Sequence, residues 1–242
     1  MKVVHIYHSG FVLLHNDIAI VIDFYKDPQN VLPNILQHVK YLYVLSSHAH
    51  QDHFNKDILE WGDYCDNIVY LLSYDIKKKI KKLRIPEFSK SIIFLNKYST
   101  YSDDFIDIKT FDSTDVGISF LISFAGYKFF HAGDLNNWRW EEDSTEKEMQ
   151  DADKSFNAIL KKIKDSVNEH IDCVMFPVDA RMKGDYAIGA RQFVNSIKVK
   201  YFIPMHTWGM WEKSADFNKY CNDNYGEYIC LKEGECLNLD NI

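Results

Sequence analysis

Ser47-His48-Ala49-His50-Gln51-Asp52-His53 is the stretch on which the reading of this chain turns. Three histidines and a carboxylate fall within six positions, directly after the apolar run Tyr41-Leu42-Tyr43-Val44-Leu45. The whole chain holds only 10 histidines, so this clustering is far from chance. Neutral imidazole is a good ligand for zinc and similar divalent ions, and a carboxylate adds charge and oxygen. In an extended segment His48 and His50 point to one side, while Asp52 and His53 can serve a second position nearby. A strand that ends in H-x-H-x-D-H therefore reads as a metal grip.

The rest of the composition sets the frame. The chain has 242 residues, 46% hydrophobic and 26% charged, which is an ordinary globular balance. Aromatics at 15% give large burial per side chain. No linker rich in Pro, Gly or Ser divides the sequence, and no repeat shows, so residues 1–242 read as a single domain. The net charge is -7. With no long basic and aromatic stretch, nucleic acid is not the favoured partner, and a small-molecule substrate is expected. The basic run at residues 77–82 reads as the solvated face of a short helix. Five cysteines without a C-x-x-C pair fit free thiols in a reducing cytoplasm. Residues 1–8 are too short and polar for a signal peptide, and no run of about 18 apolar residues predicts a membrane span. A cytoplasmic location follows as an expectation, with homo-oligomerisation left open.

Periodicity places the elements. Residues 2–7, 11–14 and 18–24 read as strands, the last being a buried strand that ends in a carboxylate at Asp23. Residues 31–39 have helical spacing, residues 41–45 form the strand into the metal motif, and residues 55–62 form a short helix capped by Asn55. Strands are expected at 67–72, 92–95, 104–111, 116–124, 128–130, 171–176 and 198–203. Helices are expected at 73–83, 144–168, 185–197 and 214–221. A terminal strand pair is expected at 227–231 and 235–239. Strands in two groups with helices between and after them suggest an α+β fold of the four-layer αββα type. From the pattern alone, α/β remains a rival.

Distant residues must complete a two-metal site. His131-Ala132-Gly133-Asp134 follows the strand at 128–130, and Pro204-Met205-His206 follows the strand at 198–203. Each puts a ligand-type side chain at a strand end, where a rigid element fixes it. Taken singly, Asp134 could be a turn carboxylate and His206 a buried, hydrogen-bonded histidine.

With these motifs together, the chain resembles the metallo-β-lactamase superfamily of metal-dependent hydrolases, over roughly residues 1 to 240. Within it, His8-Ser9-Gly10-Phe11 and His131-Ala132-Gly133-Asp134 resemble the branch of ascorbate-6-phosphate lactonase-like enzymes. The resemblance implies the αββα sandwich and two divalent ions, zinc or manganese. It implies that His48 and His50 hold one ion, that Asp52, His53 and His206 hold the other, and that Asp134 bridges both. The family usually supplies a further histidine between the first motif and the Gly-Asp. Residues 54–130 contain none, and Asp115 in the stretch 111–117 is the candidate replacement, with a β-turn Asp as the alternative.

The implied chemistry is attack of a metal-activated water on a lactone, ester or phosphodiester, with Asp52 also orienting the water or taking its proton. Asp179, Arg181 and His8 are the candidate substrate contacts; Asp179 and Arg181 could equally be a surface salt bridge. His131 is expected to pack beneath the site. Trp138, Trp140, Trp208 and Trp211 are candidates for a pocket wall. The competing readings are a nuclease of the same superfamily and a non-catalytic metal-binding or sensor domain.

Overall fold

Each of the two groups of strands builds its own sheet. In the computed structural model, which describes residues 1–82, 92–215, 217 and 225–241, the chain divides into two compact units. The first comprises Met1–Asn96 and Leu231–Ile242, and the central unit comprises Lys97–Cys230.

The first unit opens with β1 (Lys2–Tyr7), β2 (Gly10–His15) and β3 (Ile18–Ile22), joined as antiparallel neighbours. Asn16, at φ +53, makes the tight turn between β2 and β3. Helix α1 (Leu32–Leu36) then crosses to β4 (Tyr41–Ser46), a 3₁₀ segment (Lys56–Asp63) to β5 (Asn67–Ser73), and α2 (Ile76–Lys82) precedes β6 (Ile92–Leu95). From β3 to β6 the pairing is parallel, with Ile22 opposite Leu45 and Ser46 opposite Leu72. Parallel strands need crossover segments, and their apolar faces explain the burial. Val21, Val44, Tyr70 and Leu72 pack with Leu32, Leu36, Ile58, Leu59 and Ile76 from the crossovers. Alternate residues Ile20, Ile22, Leu45 and Leu71, on the other face, are equally buried.

The central unit repeats the plan. Strands β7 (Thr100–Ser102), β8 (Ile106–Asp112), β9 (Ile118–Phe124) and β10 (Tyr127–His131) are antiparallel neighbours. Helix α3 (Glu146–Lys164), β11 (Ile171–Pro177), α4 (Ile188–Ser196), β12 (Val199–Met205), α5 (Trp211–Ser214) and β13 (Tyr225–Tyr228) follow, and β10 to β13 pair in parallel. Helix α3 starts at a capping box: the Thr145 hydroxyl accepts from the Glu148 amide, and the Glu148 carboxylate accepts from the Thr145 amide at 2.8 Å. Its apolar face buries Phe156, Ile159, Leu160 and Ile163. Phe176 of β11 meets Phe156 and Phe193 of α4 at ring separations of 6.2 and 5.1 Å, a packing of edge and tilted aromatics.

The last strand, β14 (Cys236–Asn238), belongs to the first unit and runs antiparallel to β1. Among the described residues the sheet orders are β14-β1-β2-β3-β4-β5-β6 and β13-β12-β11-β10-β9-β8-β7. Two mixed sheets with crossover helices make the class α+β. The expected terminal strand pair does not form. β13 pairs with β12 and β14 with β1, because residues 231–235 are tied to His5 instead of folding back on β13. The Gly234 amide donates to the His5 carbonyl, the His5 amide to the Glu235 carbonyl, and the His5 ring bonds the Leu231 carbonyl.

Other expected elements shift at their ends. Helix α1 is shorter than the span 31–39, and the Asp27 carboxylate accepts from the Val31 and Leu32 amides at its start. Strand β7 was not foreseen. Of the helix expected at 214–221, positions 216 and 218–221 lie outside the described residues, as does Leu83. No helix among the described residues is long and apolar enough to cross a membrane.

Candidate metal centre

In both units the ligand-type side chains sit just beyond the C-terminal ends of parallel strands. In the first unit Asp23 follows β3, the 47–53 segment follows β4, and Asp75 follows β5. In the central unit Asp134 follows β10, Asp179 follows β11, and His206 follows β12. Parallel strands share a direction, so their ends deliver successive loops to one edge of the sheet, the place where open α/β sheets carry their sites.

In the first unit one carboxylate organises two imidazoles. Asp23 is fully buried, and its Oδ2 accepts from His53 Nδ1 at 2.7 Å. The Ser47 amide and hydroxyl donate to the same carboxylate, each at 2.6 Å. Ser47 has one hydroxyl proton, and Asp23 takes it. The 3.0 Å contact between Ser47 Oγ and His48 Nδ1 is therefore donated by the imidazole. Both rings carry their proton on Nδ1, which leaves Nε2 of His48 and of His53 with a lone pair to offer. The rings of His48 and His53 lie 4.1 Å apart, and His50 stands 4.5 Å from His48.

His8 and Asp52 complete this group. His8 Nε2 lies 3.4 Å from Asp52 Oδ2, and His53 Nε2 lies 3.9 Å from it. Burial acts to raise the Asp52 carboxyl, but the His8 contact and the His53 charge outweigh it and hold the group well below the usual carboxylate range.

The central unit repeats the brace with different partners. Asp179, with a fully buried side chain, accepts from His206 Nδ1 at 3.0 Å. This again puts the ring proton on Nδ1, with Nε2 3.6 Å from Asp134 Oδ1. Asp179 also receives Arg181 Nε at 2.9 Å and Nη2 at 2.5 Å. Burial pushes the Asp179 carboxyl up, and the bonds from His206 and Arg181 more than offset this, bringing it down to about 2.

Arg181 lies 4.4 Å from the Trp208 ring centroid, a cation–π stack. Trp138 and Trp208 both approach His206, at 5.8 and 5.7 Å, and Trp138 Nε1 donates to the Asp134 carbonyl. Asp115 and Asp134 offer carboxylate oxygens within 4.8 Å of each other. The Asp115 loop is fastened by Thr114 Oγ1, which donates to the Asn136 carbonyl at 2.5 Å.

Within the first unit, then, His8, His48, His50, Asp52 and His53 come together. Within the central unit, Asp134, Asp179, Arg181 and His206 form one group, with Asp115 beside Asp134. The Asp179 carboxylate is wholly engaged by His206 and Arg181. His131 is fully buried, and its Nδ1 accepts from the Gly133 amide at 3.2 Å, holding the turn that carries Asp134.

Sequence reasoning gave Asp23 no role. Its signal was a carboxylate ending the buried strand beside the one that leads to the histidines. Three of these residues have left-handed backbones although none is glycine: His8 at φ +57, Asp23 at +47 and His206 at +58. Such conformations cost on the order of 1 kcal/mol or more each and persist where surrounding contacts enforce them, as at functional sites.

The donor set suits divalent metal. Imidazoles fixed at Nδ1 by a carboxylate or hydroxyl, with Nε2 outward, are the arrangement in which metal-binding histidines occur. Residues 2–153 match the beta-lactamase superfamily domain. Solved structures share the fold over nearly the whole chain. Igni18, a metallo hydrolase from the archaeon Ignicoccus hospitalis, is 16% identical with a TM-score of 0.66, covering 98% of this chain and 97% of that one. The metallo-beta-lactamase fold protein YhfI from Bacillus subtilis is 12% identical with a TM-score of 0.69, covering 98% of both chains. A long form RNase Z from yeast is 14% identical with a TM-score of 0.66, covering all of this chain and 42% of that one. The domain match spans well over half of the sequence and includes the H-x-H-x-D-H segment, so the chain belongs to the metallo-β-lactamase superfamily.

Proposed function

We propose that the chain is a metal-dependent hydrolase that uses two divalent ions, zinc or manganese, on a small lactone, ester or phosphodiester. The observation that carries this reading is the repeated brace at Nδ1: Asp23 on His53, Ser47 on His48 and Asp179 on His206. Such bracing is an expensive use of buried carboxylates unless Nε2 has a ligand's work to do.

In the ligand set that the resemblance implies, His48 and His50 hold one ion, and Asp115 is the candidate to replace the histidine that the family usually adds there. Asp52, His53 and His206 hold the other, and Asp134 serves both. Ions held there would lower the pKa of a water from ~16 toward neutrality and polarise the substrate's carbonyl or phosphoryl oxygen. Asp52 keeps its charge well into acid, which suits a carboxylate that ligates and orients a water O–H. Arg181 is held in place by Asp179 and Trp208, so its remaining N–H groups are oriented for an anionic substrate group. His8, beside Asp52, is a further substrate contact. The net charge of -7 favours a small metabolite over nucleic acid. The lactonase-like branch supplies the first substrates to try, sugar-phosphate lactones, followed by aryl phosphodiesters and simple esters.

The test pairs elemental analysis with that panel, run separately with zinc and manganese. His50→Ala and Asp134→Ala are each expected to abolish hydrolysis and lower metal content. Full activity with unchanged metal in both variants would overturn the proposal.

A further inference from the structure

We infer that Asp75 and Lys79 clamp the backbone of Ala49 and thereby set the spacing of His48 and His50, acting as positioning residues for the metal grip. The inference rests on the metal reading above.

Ala49 separates the two histidines, and its methyl side chain cannot hold the segment in place. Its backbone does so through both polar groups. The Ala49 amide donates to Asp75 Oδ2 at 2.8 Å, and its carbonyl accepts from Lys79 Nζ at 2.7 Å. Asp75, at the turn just before α2, and Lys79, in its first turn, are four residues apart, so the start of the helix presents both to the same residue. The clamp is itself anchored. Ile76, between its two arms, is fully buried, and the Tyr74 amide donates to the Leu95 carbonyl at 2.8 Å. The Lys79 ammonium also lies 5.2 Å from the Phe54 ring centroid, on the segment that continues the metal motif.

Asp75 follows β5, the strand next to β4, just as Asp23 follows β3 on the other side of β4. The two strand ends flanking the motif therefore each supply a carboxylate to it. Asp23 fixes the rings, and Asp75 fixes the backbone between them. Ligand sites need their donors within about 0.5 Å of the working geometry, and a residue held at both its N–H and its C=O fixes the two peptide planes that join it to the flanking histidines. An ordinary exposed ion pair on a short helix would have no such effect.

The test measures zinc affinity by competition with a chromophoric chelator. It uses wild type, Lys79→Met, Asp75→Ala and Lys79→Arg, alongside the melting temperature and the Ala49 amide exchange rate of each metal-free protein. Lys79→Met and Asp75→Ala are each expected to weaken zinc binding about 10-fold. Metal-free melting should be little changed, and Arg, which can still donate to the carbonyl, should recover most of the affinity. In the metal-free protein, Asp75→Ala should also speed exchange of the Ala49 amide. Wild-type zinc affinity in both Lys79→Met and Asp75→Ala would overturn the inference while leaving the metal reading intact. Failure of the wild-type protein to take up zinc or manganese would instead overturn the metal reading, and the positioning role with it.

Discussion

The two units solve the same problem with the same plan and distribute the work differently. Each has a mixed sheet in which antiparallel strands give way to parallel ones, and each places its ligand-type side chains beyond the parallel ends. Each buries one carboxylate behind a histidine. In the first unit Asp23 is given over entirely to holding ligands: it fixes His53 directly and His48 through Ser47. In the central unit Asp179 holds one histidine and one arginine, and the Arg181 side chain is 43% exposed. The first brace is a pure grip. The second couples the grip to a cation that faces outward, which is where recognition of a substrate's charge can be added without disturbing the first.

This contrast predicts a ranking. Asp23→Ala should have the largest effect, lowering zinc affinity on the order of 100-fold because two rings lose their orientation. It should also lower stability by about 3 kcal/mol, since buried donors on Ser47 and His53 lose their acceptor. Chelator competition and urea unfolding measure the two losses. Asp179→Asn should cost about 10-fold in zinc affinity, as only His206 is affected. If it matches or exceeds Asp23→Ala, the division of labour drawn here is wrong.

The same variant gives a pH test in metal-free protein. The folded state holds Asp179 at about 2, below the ordinary 3.8, so the ionised carboxylate stabilises the fold. That contribution is fully present above about pH 4 and is lost as pH falls toward 2. The stability gap between wild type and Asp179→Asn should therefore close over that window in urea titrations, and a gap that stays constant would remove the ionic part of the brace. Ser47→Ala should have the smallest effect, a loss of about 3-fold in zinc affinity, because it releases His48 alone and leaves the bond from His53 to Asp23.

How much of this could be read in the sequence depended on whether the signal was local. The H-x-H-x-D-H segment, the Asn55 cap and the amphipathic helix α3 each declare themselves within a few residues. The ends of β10 and β12 were placed because Asp134 and His206 follow recognisable strands. Asp23 was not legible as a brace. A lone carboxylate at a strand end acquires its role only from the parallel register that sets Ile22 beside Leu45, which brings that end against Ser47. Asp179 suffered similarly: its neighbour in sequence, Arg181, suggested a surface or substrate pair, while its other partner lies 27 residues away. The clamp was hidden for a related reason, since the 77–82 lysines look alike in sequence and nothing local marks Lys79 as the one that bonds the Ala49 carbonyl. The terminal strands were misassigned because two short strands around Gly234 look like a hairpin, and the pull of two distant sheet edges leaves no local trace.

The pairing of β14 with β1 also bears on how the chain is made. Lys2 lies opposite Asn238, so the partners are 236 positions apart, and the entire central unit is synthesised between them. At bacterial or eukaryotic translation speeds the interval is on the order of ten to fifty seconds. Throughout it, β1 presents a row of amide and carbonyl groups with no strand beside them, an open template for another nascent chain. The finished sheet covers that edge with the three residues of β14, so the synthesis of β14, long after that of β1, decides how long that edge stays open to aggregation.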